Sequence, residues 1–131
     1  MYYFSVNLKD SFDNVLSRVT AALKTEGFGV LADIDVAATL KAKLGIDKSP
    51  YRILGACNPA FANEALTAEP DIGVLLPCNV VVRKESDSSI SVVFMDPKAA
   101  LDLVDKPEIR ELADKVRLKL LKVRDMLENT V

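Results

Sequence analysis

Ile72-Gly73-Val74-Leu75-Leu76-Pro77-Cys78-Asn79-Val80-Val81-Val82-Arg83, followed beyond Asp87-Ser88-Ser89 by Ile90-Ser91-Val92-Val93-Phe94-Met95, is the stretch that decides the fold. Both runs are rich in β-branched and aromatic residues, and the polar turn between them predicts an antiparallel hairpin. Pro77 stands inside the first run. A proline cannot donate to a sheet ladder, so it predicts an edge, a bulge or a bend next to Cys78. Strands and helices mix elsewhere in the chain, but the closing hairpin makes the expected class α+β, with a largely antiparallel sheet of about five strands packed against helices.

Toward the amino terminus, Tyr2 to Val6 predicts a first strand. Asp10 or Ser11 can cap a helix in which Phe12, Val15, Leu16, Val19, Ala22 and Leu23 recur at helical spacing, and Gly27 stops it. Phe28 to Ile34 predicts a second strand. Asp35 can cap a short helix from Val36 to Leu44, closed by Gly45. Tyr51 to Cys57 predicts a third strand, and Asn58-Pro59 opens a helix to about Thr67, because asparagine caps well and proline suits the first helical position. Beyond the hairpin, Asp96-Pro97 begins a short helical segment. Pro107 opens a last helix along which Ile109, Leu112, Val116, Leu120, Val123 and Leu127 trace one apolar stripe. The predicted order is β-α-β-α-β-α-β-β-α-α in a single domain over residues 1–131.

The 131 residues are 50% apolar and 27% charged, the composition of a globular chain able to bury its own core. A net charge of −2 and a pI near 5.2 argue against nucleic-acid binding, which calls for a basic face. No apolar run approaches the ~20 residues that span a bilayer. The first residues lack the basic start and long apolar stretch of a signal peptide, so a cytoplasmic setting with reduced thiols is expected.

The chain has two cysteines, no histidine and no tryptophan. Each cysteine precedes an asparagine, in Cys57-Asn58 and Cys78-Asn79, so the only soft ligands or nucleophiles sit in two near-identical dipeptides. Cys57 lies just before a helix cap, where unpaired N–H groups favour a thiolate. If their strands are neighbours, the two thiols can face one another across the sheet and line one cleft with Asn79. They are also candidate metal ligands. Zinc needs more than two protein ligands, so Asp33, Asp35, Glu69 or a second subunit would have to contribute. Asp33 and Asp35 flank Ile34 and share one face of an extended strand. The missing histidine excludes a Cys-His pair and a Ser-His-Asp triad.

The blocks Gly27-Phe28, Asp33-Ile34-Asp35, Leu44-Gly45, Tyr51 to Pro59, Glu69 to Val82 and Met95-Asp96-Pro97 resemble the bacterial and archaeal domain-of-unknown-function family 302. The resemblance covers nearly the whole chain. It implies an α+β single domain and carries over no activity or cofactor.

Three functions are expected to compete. The first is a module binding a small molecule or metal ion near Cys57, Asn58, Cys78 and Asn79, with Asp33 and Asp35 as further candidates. The second is a thiol enzyme with Cys57 as nucleophile and Cys78 as resolving thiol, and the third is a purely structural or interaction domain. A homodimer is expected, because short strands with Pro77 near an edge leave sheet edges needing cover. Exposed apolar residues of the Pro59–Thr67 segment or the last helix would serve the same end.

Overall fold

The computed structural model describes residues 1–129. Strand β1 (Tyr3–Leu8) leads to helix α1 (Phe12–Thr25), β2 (Gly29–Asp35), α2 (Val36–Leu44), β3 (Tyr51–Cys57) and α3 (Pro59–Ala68). A 3-10 helix (Pro70–Leu75) precedes β4 (Cys78–Lys84), β5 (Ile90–Met95), α4 (Pro97–Leu101) and α5 (Pro107–Asn129). The expected α+β class and element order are both found. The strands form one sheet in the order β1-β5-β4-β3-β2, antiparallel throughout.

Local signals account for most boundaries. Ser11, Asp35, Asn58 and Asp96 each accept a hydrogen bond from a backbone N–H of the first helical turn that follows. Each thereby satisfies a donor that the helix itself leaves unpaired. Gly45, with φ of 68°, supplies the left-handed residue that ends α2.

One expectation is corrected. Ile72–Arg83 is not one long strand: Pro70–Leu75 is a 3-10 helix, and β4 begins only at Cys78. Glu69 caps that 3-10 helix through the Asp71 N–H, with Pro70 at the first position, and Ile72 is buried in a side cluster of apolar residues. Local capping and burial of Ile72 win over the strand preference of the run. Pro77 therefore stands before β4, which is the central strand and not an edge.

The inner face of the sheet carries Phe4, Leu54, Val80, Val82, Val92 and Phe94. They pack with Val15, Val19 and Leu23 of α1 and Val116, Leu120 and Val123 of α5 into the main core. A smaller cluster joins Ala65 of α3, Ile72, Leu101 of α4, and Ile109, Leu112 and Ala113 of α5. The opposite face takes no part in either cluster across its middle. There the register aligns Ile34 with Ile53, Ile53 with Val81, and Val81 with Val93, one residue from each of β2, β3, β4 and β5.

Candidate functional site

Cys57 ends β3 and Cys78 begins β4, and the two strands are hydrogen-bonded neighbours. The connection through α3 and the 3-10 helix brings the chain back to the end of the sheet it left. Ala56 is the residue opposite Cys78, so Cys57 lies one step past it. Successive strand residues point to opposite faces, so the thiols do not face one another across the sheet as expected. Both line one cavity that wraps the end of the sheet.

That cavity, about 400 Å3, sits at the seam between the two apolar clusters. Phe28, Ala56 and Val116 wall it on the main-core side, and Ala65, Leu101 and Leu112 on the other. Its space has a simple origin: Ala56, Cys57, Ala62, Ala65, Gly73 and Cys78 are all small, and no neighbouring side chain extends to fill the volume they leave. Protein interiors are otherwise close-packed, so a retained space of this size calls for a reason. Leu31, 73% exposed, and Leu66, 42% exposed, stand at its mouth.

Apart from the thiols, Asn58 is the polar side chain in the lining. Its Oδ1 accepts from the Phe61 N–H at 3.5 Å, and its Nδ2 donates to the Glu26 carbonyl at 3.4 Å. It therefore caps α3 and ties it to the end of α1.

Gly55, opposite Asn79, is held to glycine by Pro77: a Cβ there would stand 2.8 Å from the proline Cγ. Asn79 itself leaves the cavity altogether. Cys78 and Val80 point inward and Asn79 is exposed on the outer face, which corrects its placement beside the thiols.

Asp33 and Asp35 do share a face, but it is occupied by Arg52 of β3. The guanidinium bonds both Asp33 oxygens at 2.8 Å and Asp35 at 3.5 Å, and it holds the Asp33 carboxyl below the usual carboxylate range. Asp35 also caps α2. Glu69 pairs with Lys106 at 3.2 Å. None of the three carboxylates lines the cavity. Among the described residues no group of three or more His, Cys, Asp or Glu side chains is placed to hold a metal ion, so the thiols lack the companions a zinc site needs.

A family model described as "Domain of unknown function DUF302" matches residues 4–127. The chain belongs to the DUF302 family. Among solved structures it is similar to the crystal structure of an uncharacterized conserved DUF302 protein from Bacillus stearothermophilus. The two are 29% identical, the match covers 97% of this chain and 98% of the other, and the TM-score is 0.89. No curated protein matches it significantly. Among the described residues, no helix of this DUF302 chain is long and apolar enough to cross a membrane.

Both thiols of this DUF302 domain are free. Burial, and secondarily the nearby Cys57, push the Cys78 thiol up to about 11. It stays protonated at neutral pH, which suits a wall of an apolar cavity and not a resolving thiolate. The raised value fixes the sign of a pH effect. Stability from the buried neutral thiol is complete below the ordinary thiol value of 9.0 and is lost as pH rises toward 11. The loss by pH 11 is on the order of 2 kcal/mol. Urea unfolding of wild type and Cys78→Ala at pH 8 and pH 10.5 checks this. The gap between them should shift in favour of the alanine variant at the higher pH, and a gap independent of pH would contradict the assignment.

Proposed function

We propose that the chain is a binding module for a small, mainly apolar molecule held between α3, α5 and the ends of β3 and β4. The observation that carries this reading is the cavity of about 400 Å3 whose walls are apolar but for Asn58 and two thiols. Its size falls within the range of about 300–1,000 Å3 usual for small-molecule sites, and its lining has the expected makeup of apolar walls with few polar groups. A ligand with one polar end would place that end toward Asn58 and Cys57 at the mouth and its apolar body toward Leu101 and Leu112. Among the described residues no third ligand stands beside the thiols, which favours such a molecule over a metal ion. The module works as a homodimer in a reducing compartment, where both thiols stay free.

Titration with anilinonaphthalene sulfonate tests the reading. The folded protein should bind the dye saturably at one site per chain, and decanoic acid should displace it. Ala62 lines the cavity from α3. Ala62→Phe, which places a ring in the space, should weaken dye binding at least about tenfold, or 1.4 kcal/mol. Far-UV circular dichroism confirms that the variant is folded. Non-saturable binding, or equal affinity in the folded variant, would reject the cavity as the site.

A further inference from the structure

We infer that the outer face of the sheet is the surface on which two copies of this chain associate about a two-fold axis. This rests on the dimeric reading above and names its interface. Ile34, Ile53, Val81 and Val93 lie side by side across four strands through the pairings of their register. They belong to neither apolar cluster of the molecule. Antiparallel sheets that face water on one side usually show polar residues there. This face instead carries a transverse row of β-branched apolar side chains at its centre.

Polar groups border the row as they do in a protein interface, with an apolar centre and a polar rim. Asn79, opposite Gly55, lies on one side of the row, and Arg83, opposite Ser91, on the other. Asn79 is exposed in mid-sheet, where asparagine is disfavoured, and a place on the rim gives it a role.

The chemistry selects a second copy as the occupant. Arg83 is the charged residue bordering the row, and it is bonded to Glu85 of its own chain. With that charge paired, the face offers no net charge to attract a nucleic acid, an anionic membrane or an acidic partner, and none to repel its own image. Two twisted sheets pack face to face at about 30°, with small branched side chains interdigitating, and a two-fold axis achieves this with a single kind of face. Five strands spaced ~4.8 Å apart and ~20 Å long give a plan area of roughly 480 Å2. Side-chain relief raises the accessible area toward the ~600 Å2 per partner at which stable interfaces begin.

Sedimentation equilibrium of the full chain between 1 and 200 µM (a span of about two decades around the micromolar affinities of modest interfaces) is the test. Wild type should show twice the chain mass of 14.3 kDa. Val81→Lys should raise the dissociation constant about 100-fold or more, as expected for a residue at the centre of an interface. Ile34→Lys on edge strand β2, 51% exposed in the monomer, guards against a misfolded central-strand variant and should weaken the dimer in the same direction. Leu118→Lys, 61% exposed on α5 in the other layer, should leave the mass doubled. A wild type of 14.3 kDa throughout the range overturns the dimer and this face together. A wild-type dimer that both sheet variants retain, or that Leu118→Lys dissociates, overturns the face alone.

Discussion

Phe94→Ala should destabilise the protein by about 3–5 kcal/mol, the cost of truncating a fully buried aromatic side chain whose surroundings relax only in part. Phe94 is fully buried on β5, which sits between β1 and β4 and so touches both halves of the sheet. Its ring stacks on Phe4 with centroids 5.5 Å apart and planes 16° from parallel. Phe4 in turn lies under the guanidinium groups of Arg117 and Arg124, at 5.9 Å and 5.6 Å. Deleting the Phe94 ring therefore opens a void in the main core and also removes the support that holds Phe4 against α5. Domains of this size are stable by roughly 5–15 kcal/mol, so the change consumes about a fifth of the whole at the least. Guanidinium unfolding followed by far-UV circular dichroism is the appropriate measurement, because the chain has no tryptophan. The midpoint should fall with an unchanged slope. A loss under 1 kcal/mol would mean that Phe94 does not hold the place described.

Gly27→Ala should cost about 2–3 kcal/mol and weaken cavity binding with it. Gly27 has φ of 85°, a left-handed conformation that costs an L-residue roughly 1–2 kcal/mol. The added Cβ would also stand 2.9 Å from Asn58 Nδ2. If Asn58 moves, α3 loses its cap, worth about 1 kcal/mol, and the cavity loses its polar group. Chemical unfolding and dye titration on the same variant separate the two effects. Reduced stability with unaltered dye affinity would show that Asn58 keeps its position and that strain at residue 27 accounts for the whole loss.

The reason some of this was legible and some was not is physical. Asp35 with Gly45, and Asn58 with Pro59, are signals confined to a few adjacent residues, and those helix boundaries follow from them. Tyr51–Cys57 and Ile90–Met95 are short apolar runs between clear breaks, and both are strands over those spans. The run from Ile72 to Leu76 misled because its composition suits a strand, while Glu69-Pro70 announced a helical start by the same pairing of cap and proline as Asn58-Pro59. Asn79 was misplaced beside the thiols because strand alternation was not applied to it: the neighbour of an inward cysteine points outward. The cavity was not legible. Ala56, Ala62 and Ala65 are unremarkable as letters, and the space they leave exists only once α3 lies across the end of the sheet. The partners of Asp33 and Asp35 were hidden for a similar reason, since Arg52 reaches them only when β2 and β3 are in register.

The strand order also sets a schedule for the growing chain. β1 precedes every other strand of the domain, yet its sheet neighbour is β5, more than eighty residues downstream. During synthesis β2 and β3 can pair early, β4 adds to them, and β5 adds to β4, all by connections between consecutive strands. β1 must wait through this succession as an unpaired segment rich in aromatic residues. It docks only when β5 presents its far edge, and α5 then closes over both. Loop closure over so long a separation is slow, and an unpaired apolar strand is open to wrong partners while it lasts. The first strand of the domain is thus the last to join the sheet, and completion of the fold waits on α5.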